Sequence, residues 1–296
     1  MFTNYTGHTD NVFAISWSPD GRTLASAGRD RTVQIWDAAT GACRLIYSAH
    51  NSYLLSLAWS PDGQYIASGD TAGIVQVWQV SAGKTLFTYH GHMRFVRSVA
   101  WSPDGHYIAS GGEYGDSTVQ VWEAFNGNLL YTHKGQYRIF AAPWSPDGSR
   151  IAAGSFDVTV QVLDALSGNT LLTYRAHTGP VYAVAWSPDS RALASAGHDT
   201  TVHIWSPVTG ETIYVYHGHT RPVKSLAWSP DGSYIASCGD DTTIRVWAAS
   251  TGELIATYSA HTFWVRTVSW SPDGRFIASA SDKNVHLWAW KTFTGL

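Results

Sequence analysis

Short apolar runs, broken by turn residues at a regular beat, organise this chain. Four places after a recurrent histidine, or its aligned position, stand Val12, Leu54, Val96, Ile139, Val181, Val223 and Val265. Seven places after it stand Ile15, Leu57, Val99, Ala142, Val184, Leu226 and Val268. Columns that stay apolar in this way mark strand positions facing a core. Ser18-Pro19-Asp20-Gly21 carries the residues that a type I turn prefers, and apolar runs flank it on both sides, so it reads as a hairpin loop. The fifth copy departs, with Ser190 in the glycine place. A glycine five residues past a recurrent indole position (Gly41, Gly83, Gly127, Gly168, Gly210, Gly252) marks a second turn. Each unit therefore holds about four short strands, and no helical periodicity is evident.

WSPD begins at Trp17, Trp59, Trp101, Trp144, Trp186, Trp228 and Trp270, with steps of 42, 42, 43, 42, 42 and 42 residues. A period of this size marks a repeat architecture. The pairs and runs that recur, GH at 7–8, WSPDG from Trp17, LASAGRD at 24–30 and IWD at 35–37, make the chain similar to the WD-40 repeat family, and to bacterial tandem arrays within it. The resemblance covers the whole chain. It implies an all-β, seven-bladed propeller of four-stranded antiparallel blades around a central channel, one domain over 1–296. The literal Trp-Asp pair survives only at Trp36-Asp37.

A closed ring needs its ends joined. Tyr stands three residues before the repeat histidine at Tyr5, Tyr47, Tyr89, Tyr174, Tyr216 and Tyr258, so the N-terminal residues are in the phase of an outermost strand. No strand of that phase follows Trp288. Residues 2–7 are therefore expected to complete the seventh blade and remove a bare sheet edge.

Composition narrows the picture further. The 296 residues are 44% hydrophobic and 14% charged, with a formal charge of −3. Cys43 and Cys238 are the only cysteines, so neither a disulfide framework nor a structural zinc site is expected, and a reducing, cytoplasmic setting fits. No run of eighteen apolar residues appears, and the N-terminus lacks the charged start and apolar stretch of a signal peptide. A monomer is expected, without cofactor and without membrane contact.

His, Ser and Asp recurring together invite comparison with a catalytic triad. They recur too often for that. His8, Ser26, Asp30 and Trp36 return as His92, Ser110, Asp116 and Trp122, as His177, Ser195, Asp199 and Trp205, as His219, Ser237, Asp241 and Trp247, and as His261, Ser279, Asp282 and Trp288. An active site is normally built once, so five sets read as scaffold. The family resemblance implies a buried relay in which Trp donates to Ser, Ser meets His and His meets Asp, a chain that the donor inventory permits. The fourth copy has Gly135, Ala153 and Leu163 in place of His, Ser and Trp, and keeps only Asp157. Loss of three members together is what a buried network demands, because a lone survivor would be an unsatisfied polar group. In the second copy His50, Ser68 and Trp78 remain, while Ala72 holds the Asp place; Asp70 either reaches round to His50 or leaves that imidazole without a carboxylate. Copies two and four are accordingly expected to form the softest blades. The remaining histidines, such as His106, His203 and His286, lack ligand spacing, and no metal site is expected.

Three columns vary where the others hold. The first carries Phe13, Leu55, Arg97, Phe140, Tyr182, Lys224 and Arg266; the second Asn11, Tyr53, Phe95, Arg138, Pro180, Pro222 and Trp264; the third Arg29, Thr71, Gly115, Phe156, His198, Asp240 and Ser281. Seven of these 21 places are aromatic, five are Arg or Lys and one is Asp, which gives an acidic protein one cationic, aromatic patch. A packing column would not accept Phe, Arg and Lys interchangeably. The resemblance places these columns around the channel mouth, where partners dock. Phe13, Arg29, Tyr53, Phe95, Arg97, Arg138, Phe140, Phe156, Tyr182, Lys224, Trp264 and Arg266 are the candidate contact residues, since aromatics and Arg dominate binding hot spots. The expected role is a non-enzymatic scaffold that grips an acidic peptide or loop with an apolar anchor. Alternatives are an architectural or sensor domain of a larger signalling protein, an engineered propeller, or a mouth for single-stranded nucleic acid or a small ligand. The acidic balance and the lack of basic runs weigh against nucleic acid.

Overall fold

A computed structural model of the chain describes residues 2–113 and 115–293. Among them are 28 strands, numbered β1 to β28 in chain order, and one 3-10 helix, Trp290–Phe293. The strands form seven four-stranded antiparallel sheets, the blades of a propeller. In the first blade β2 (Val12–Trp17), β3 (Thr23–Gly28), β4 (Val33–Asp37) and β5 (Cys43–Tyr47) follow one another outward. The innermost strands of the other blades are β6 (Leu54–Trp59), β10 (Val96–Trp101), β14 (Ile139–Ala141), β18 (Val181–Trp186), β22 (Val223–Trp228) and β26 (Val265–Trp270).

The seventh blade closes the ring as the sequence requires. Its strands are β26, β27 (Phe276–Ser281), β28 (Asn284–Ala289) and, outermost, β1 (Phe2–Tyr5), which pairs with β28 from Phe2↔Trp288 to Tyr5↔Val285. The core lies between blades. The Val12 column is at most 1% exposed throughout. The repeat indoles Trp36, Trp78, Trp122, Trp205, Trp247 and Trp288 are fully buried. Each is covered by the tyrosine of the preceding outer strand: Tyr47 on Trp78, Tyr89 on Trp122 and Tyr174 on Trp205 stack at 4.2, 4.2 and 4.3 Å. Where the fourth blade puts the smaller Leu163, the covering tyrosine is also missing: His133 pairs with Val119 as Tyr47 pairs with Val33, and its Nε2 meets Gln161 Oε1 at 2.9 Å.

The WSPDG turn folds on its own residues. Gly21 N–H donates to Ser18 O, Ser18 Oγ donates to Asp20 Oδ1 at 2.6 Å, and Gly21 sits at a φ of +68°. That left-handed angle favours glycine, yet Ser190 adopts it in the fifth blade at +61°. There Ser190 O accepts a hydrogen bond from the Arg150 guanidinium at 2.9 Å.

The relays follow the sequence with two exceptions. His8, His92, His177 and His219 bridge their Ser and Asp partners at 2.5–2.8 Å. The second blade has a complete relay: Asp70 Oδ2 meets His50 Nδ1 at 2.9 Å, and Ser68 links His50 to Trp78. Asp70 does this from the place opposite Leu54, where the first blade has Gly28 opposite Val12, and so reaches the imidazole from the strand end. The premise for a soft second blade is thus removed. The seventh blade departs the other way: His261 bonds Ser279 at 2.8 Å, but no hydrogen bond joins it to Asp282 among the described residues. The cause is a shorter hairpin. Ser281 pairs with Asn284, and Asp282, at a φ of +51°, sits within the two-residue turn. The indole step of the relay is also not universal, since Trp122 and Trp205 donate to Ser110 and Ser195 while Trp36 and Trp247 Nε1 have no such partner.

Candidate functional site

The relays are sealed. Ser26, Ser68, Ser110, Ser195, Ser237 and Ser279 are 0% exposed, so no substrate can reach their hydroxyls. Burial opposes ionisation of Asp30 and Asp116, but bonds from His8 and Thr32, and from His92 and Thr118, outweigh it and hold both carboxyls below the usual range. The same balance at Asp199 and Asp241 lowers them further. His203, isolated in sequence, proves to stack on His177 at 3.9 Å beside Asp199. Its Nδ1 meets Tyr174 Oη and its Nε2 meets Thr201 Oγ1, while His177 is committed to Ser195 and Asp199. All four ring nitrogens are engaged, and the cluster is a packing device. Neither contact could be read from spacing, because His177 lies in the loop before β18 and His203 on the strand Val202–Trp205, and the two meet only in the folded blade.

The variable columns converge elsewhere. Phe13, Leu55, Arg97, Phe140, Tyr182, Lys224 and Arg266 are each the second residue of an innermost strand, and in every blade the ladder register shifts at that residue. A β-bulge re-aims its side chain and excuses it from packing, which is why this column can carry Phe, Arg or Lys while the Val12 column beside it stays aliphatic. Eleven of the twelve candidate contact residues line one cavity of about 680 Å³ at this end of the channel. Trp264 is outside the lining, but its ring lies 5.1 Å from the Arg266 guanidinium. Tyr53, Phe156 and Trp264 are 43%, 41% and 49% exposed.

Cations sit on rings around this mouth. Arg29 lies over Tyr53 at 5.2 Å, Arg138 over Phe156 at 5.0 Å, Lys224 over Tyr182 at 4.3 Å and Arg266 over Phe13 at 5.8 Å. Such pairs hold both partners in place at about 0.5–2 kcal/mol each.

The mouth is less cationic than the sequence suggests. Glu113, 2% exposed, receives Arg97 Nε at 2.6 Å and lies 3.6 Å from Arg138 Nη1. Spacing alone puts Gly115, not Glu113, in this column of the third copy. By register Gly112 pairs with Val96 as Gly28 pairs with Val12, so Glu113 is the structural counterpart of Arg29 and the two extra residues fall after it. Its N–H donates to Phe95 O as that of Arg29 donates to Asn11 O. In the seventh blade Ser281 pairs with Val265, so Asp282, not Ser281, stands in the Arg29 column. Lys224 pairs with Asp240 at 3.2 Å and Arg29 with Asp10 at 3.7 Å. Arg266 makes no ion pair within 4.0 Å among the described residues, and burial pulls its guanidinium below the ordinary arginine value.

Comparison with known proteins agrees with this geometry. The family model "WD domain, G-beta repeat" matches residues 2–37, 41–79, 83–123, 127–164, 168–206, 210–248 and 252–289. Similar curated proteins include Protein Mut11 of Chlamydomonas reinhardtii, 62% identical over 37 residues, which are 12% of this chain and 10% of that protein. Protein HIRA of Oryza sativa subsp. japonica is 50% identical over 40 residues, 14% of this chain and 4% of that protein. A probable cytosolic iron-sulfur protein assembly protein CIAO1 homolog of Nematostella vectensis is 55% identical over 31 residues, 10% of each chain. The chain thus spans a tenth or less of the length of these relatives, about one repeat in each.

Proposed function

The chain belongs to the WD domain, G-beta repeat family, and from that premise we propose that it is a non-enzymatic protein-interaction scaffold whose mouth grips a peptide or loop of a partner. One observation supports the reading above the rest: residues that escape the repeat line one cavity, seven of them on the bulges of the innermost strands, while the repeated relay and apolar residues are buried. Aromatic side chains already held by cations supply rigid contact area, which lowers the entropy lost on binding. Because Arg97 and Arg138 share Glu113 and Lys224 has Asp240, the cation best placed for a ligand carboxylate is Arg266. The partner segment would therefore carry one acidic group beside an apolar anchor, not a run of acids. Monomeric behaviour in a reducing, cytoplasmic setting belongs to the same proposal.

The test is selection of peptides on the wild-type protein, followed by titration against a Tyr53→Ala, Phe156→Ala double variant. Both rings are partly exposed, so the melt should hold within a few degrees while affinity falls at least roughly tenfold, the size expected of two hot-spot truncations. Selected peptides that bind the double variant equally well would remove the mouth from the account.

A further inference from the structure

The opposite face carries a second candidate site. Innermost strand β2 begins near the mouth with Phe13 and ends at Trp17, so the two residues lie about 13 Å apart along the strand. At the Trp17 end, between the seventh and first blades, is a cavity of about 340 Å³ walled by Trp17, Phe276 and Leu287.

The molecule itself shows what such a seam accepts. Between the second and third blades, Phe125, itself half exposed, rests its ring 5.0 Å from Tyr65 and 5.9 Å from Trp101. Between the sixth and seventh blades, Trp290 lies 4.7 Å from Tyr234 and 5.3 Å from Trp270. Phe276 and Trp17 are the counterparts of those walls. The positions that would supply the plug, three and two residues past the repeat tryptophan, are Ala39 and Ala38. The slot is thus built for a ring and the chain withholds one. Its volume exceeds the ~150 Å³ that admits a benzene in an apolar protein cavity. The next seam, between the first and second blades, is also open, but Thr23 replaces the aromatic wall, and Ser18, Asp20, Asp62 and Ser81 make its lining polar. At the rim of the apolar slot, Arg44 bonds Asp37 and Arg275 bonds Asp273. Arg22 is a third guanidinium against these two carboxylates.

We infer that this cleft receives an aromatic side chain of a partner polypeptide, buried as Trp290 is in its own seam or laid across it as Phe125 is, with an acidic neighbour facing Arg22. The inference does not rest on the mouth, which lies at the other end of the strands. The probes are the blocked tripeptide acetyl-Asp-Trp-Asp-amide and its analogue with alanine at the centre. The readout is the indole N–H resonance of Trp17, assigned with Trp17→Phe. The aromatic tripeptide should shift that resonance saturably and the alanine analogue should not. Ala39→Phe supplies the missing plug at an exposed position; it should fold normally and abolish the shift. The Tyr53→Ala, Phe156→Ala protein should retain the shift in full. A Trp17 signal unmoved by the aromatic tripeptide, or moved as much in Ala39→Phe, overturns the inference; loss of the shift in the mouth variant would do the same.

Discussion

Tyr5, on the outermost strand of the seventh blade, stacks on Trp36 of the first blade with ring centroids 4.9 Å apart and planes 5° from parallel, while its hydroxyl donates to Gln34 Oε1 at 2.5 Å. The same tyrosine-on-indole contact joins other neighbouring blades, but here the tyrosine belongs to the N-terminal strand that completes the last blade. Removing residues 1–7 strips β28 of its partner strand and Trp36 of its cover. The loss of one buried aromatic alone costs about 3–5 kcal/mol, and each kcal/mol lowers the melting temperature of a chain of this size by roughly 2–4 °C. Calorimetry of the truncated protein should show a drop of many degrees, and Tyr5→Ala should reproduce most of it.

Two carboxylates with similar sequence credentials should behave differently. Asp70→Ala leaves the buried His50 Nδ1 without its carboxylate and should cost about 1–3 kcal/mol, the penalty for an orphaned buried polar group. Asp282→Asn, which tolerates the same left-handed backbone, removes no bond to His261 and should stay within about 0.5 kcal/mol. Urea titrations at neutral pH distinguish the two.

Acid should weaken the protein in two steps. Burial, with His177 close by, pushes His203 down to about 4, and burial beside His286 pushes His261 down to about 3. Both values lie below the 6.5 of an ordinary histidine, so between them and pH 6.5 the unfolded chain holds protons that the folded chain refuses. Stability from these groups is therefore complete above pH 6.5 and falls as the pH drops. One such group contributes a loss of about 2 kcal/mol between pH 6.5 and 5, at 1.36 kcal/mol per unit. Below about pH 4 the depressed aspartates Asp30, Asp116, Asp199 and Asp241 add their own loss as they take up protons. His203→Gln places there the residue that Tyr5, Tyr47 and Tyr89 already bond as Gln34, Gln76 and Gln120. It should flatten the first step in urea titrations at pH 7 and 5, and an unchanged slope would exclude His203 as its source.

Glu113 should act as a brake on the mouth. Glu113→Gln frees Arg97 and Arg138 from a buried carboxylate, so an acidic peptide selected on the wild type should bind several-fold more tightly at low salt and lose that gain at high salt. Titration calorimetry at two ionic strengths measures this directly, and equal affinity at both would show that the pair of arginines faces away from the ligand.

The repeat alone determined that there are seven units of about four short strands and that the N-terminal residues are in the phase of the missing outer strand, because apolar and turn residues recur at one period; the propeller and its buried relays came from the resemblance to the WD-40 repeat. The repeat also marked the variable columns, though not why they may vary. Only the tertiary structure supplied that reason, a ladder bulge at Phe13 and its six counterparts that lifts one side chain per blade out of the packing. Hairpin length decided the rest. Spacing along the chain cannot tell on which side of a turn an insertion falls, so only the ladder register puts Glu113 at the mouth, keeps Asp282 off His261 and brings Asp70 onto His50. The empty slot at Ala38 and Ala39 is likewise a property of two blades together: an alanine in a sequence says nothing of the ring its neighbour leaves room for.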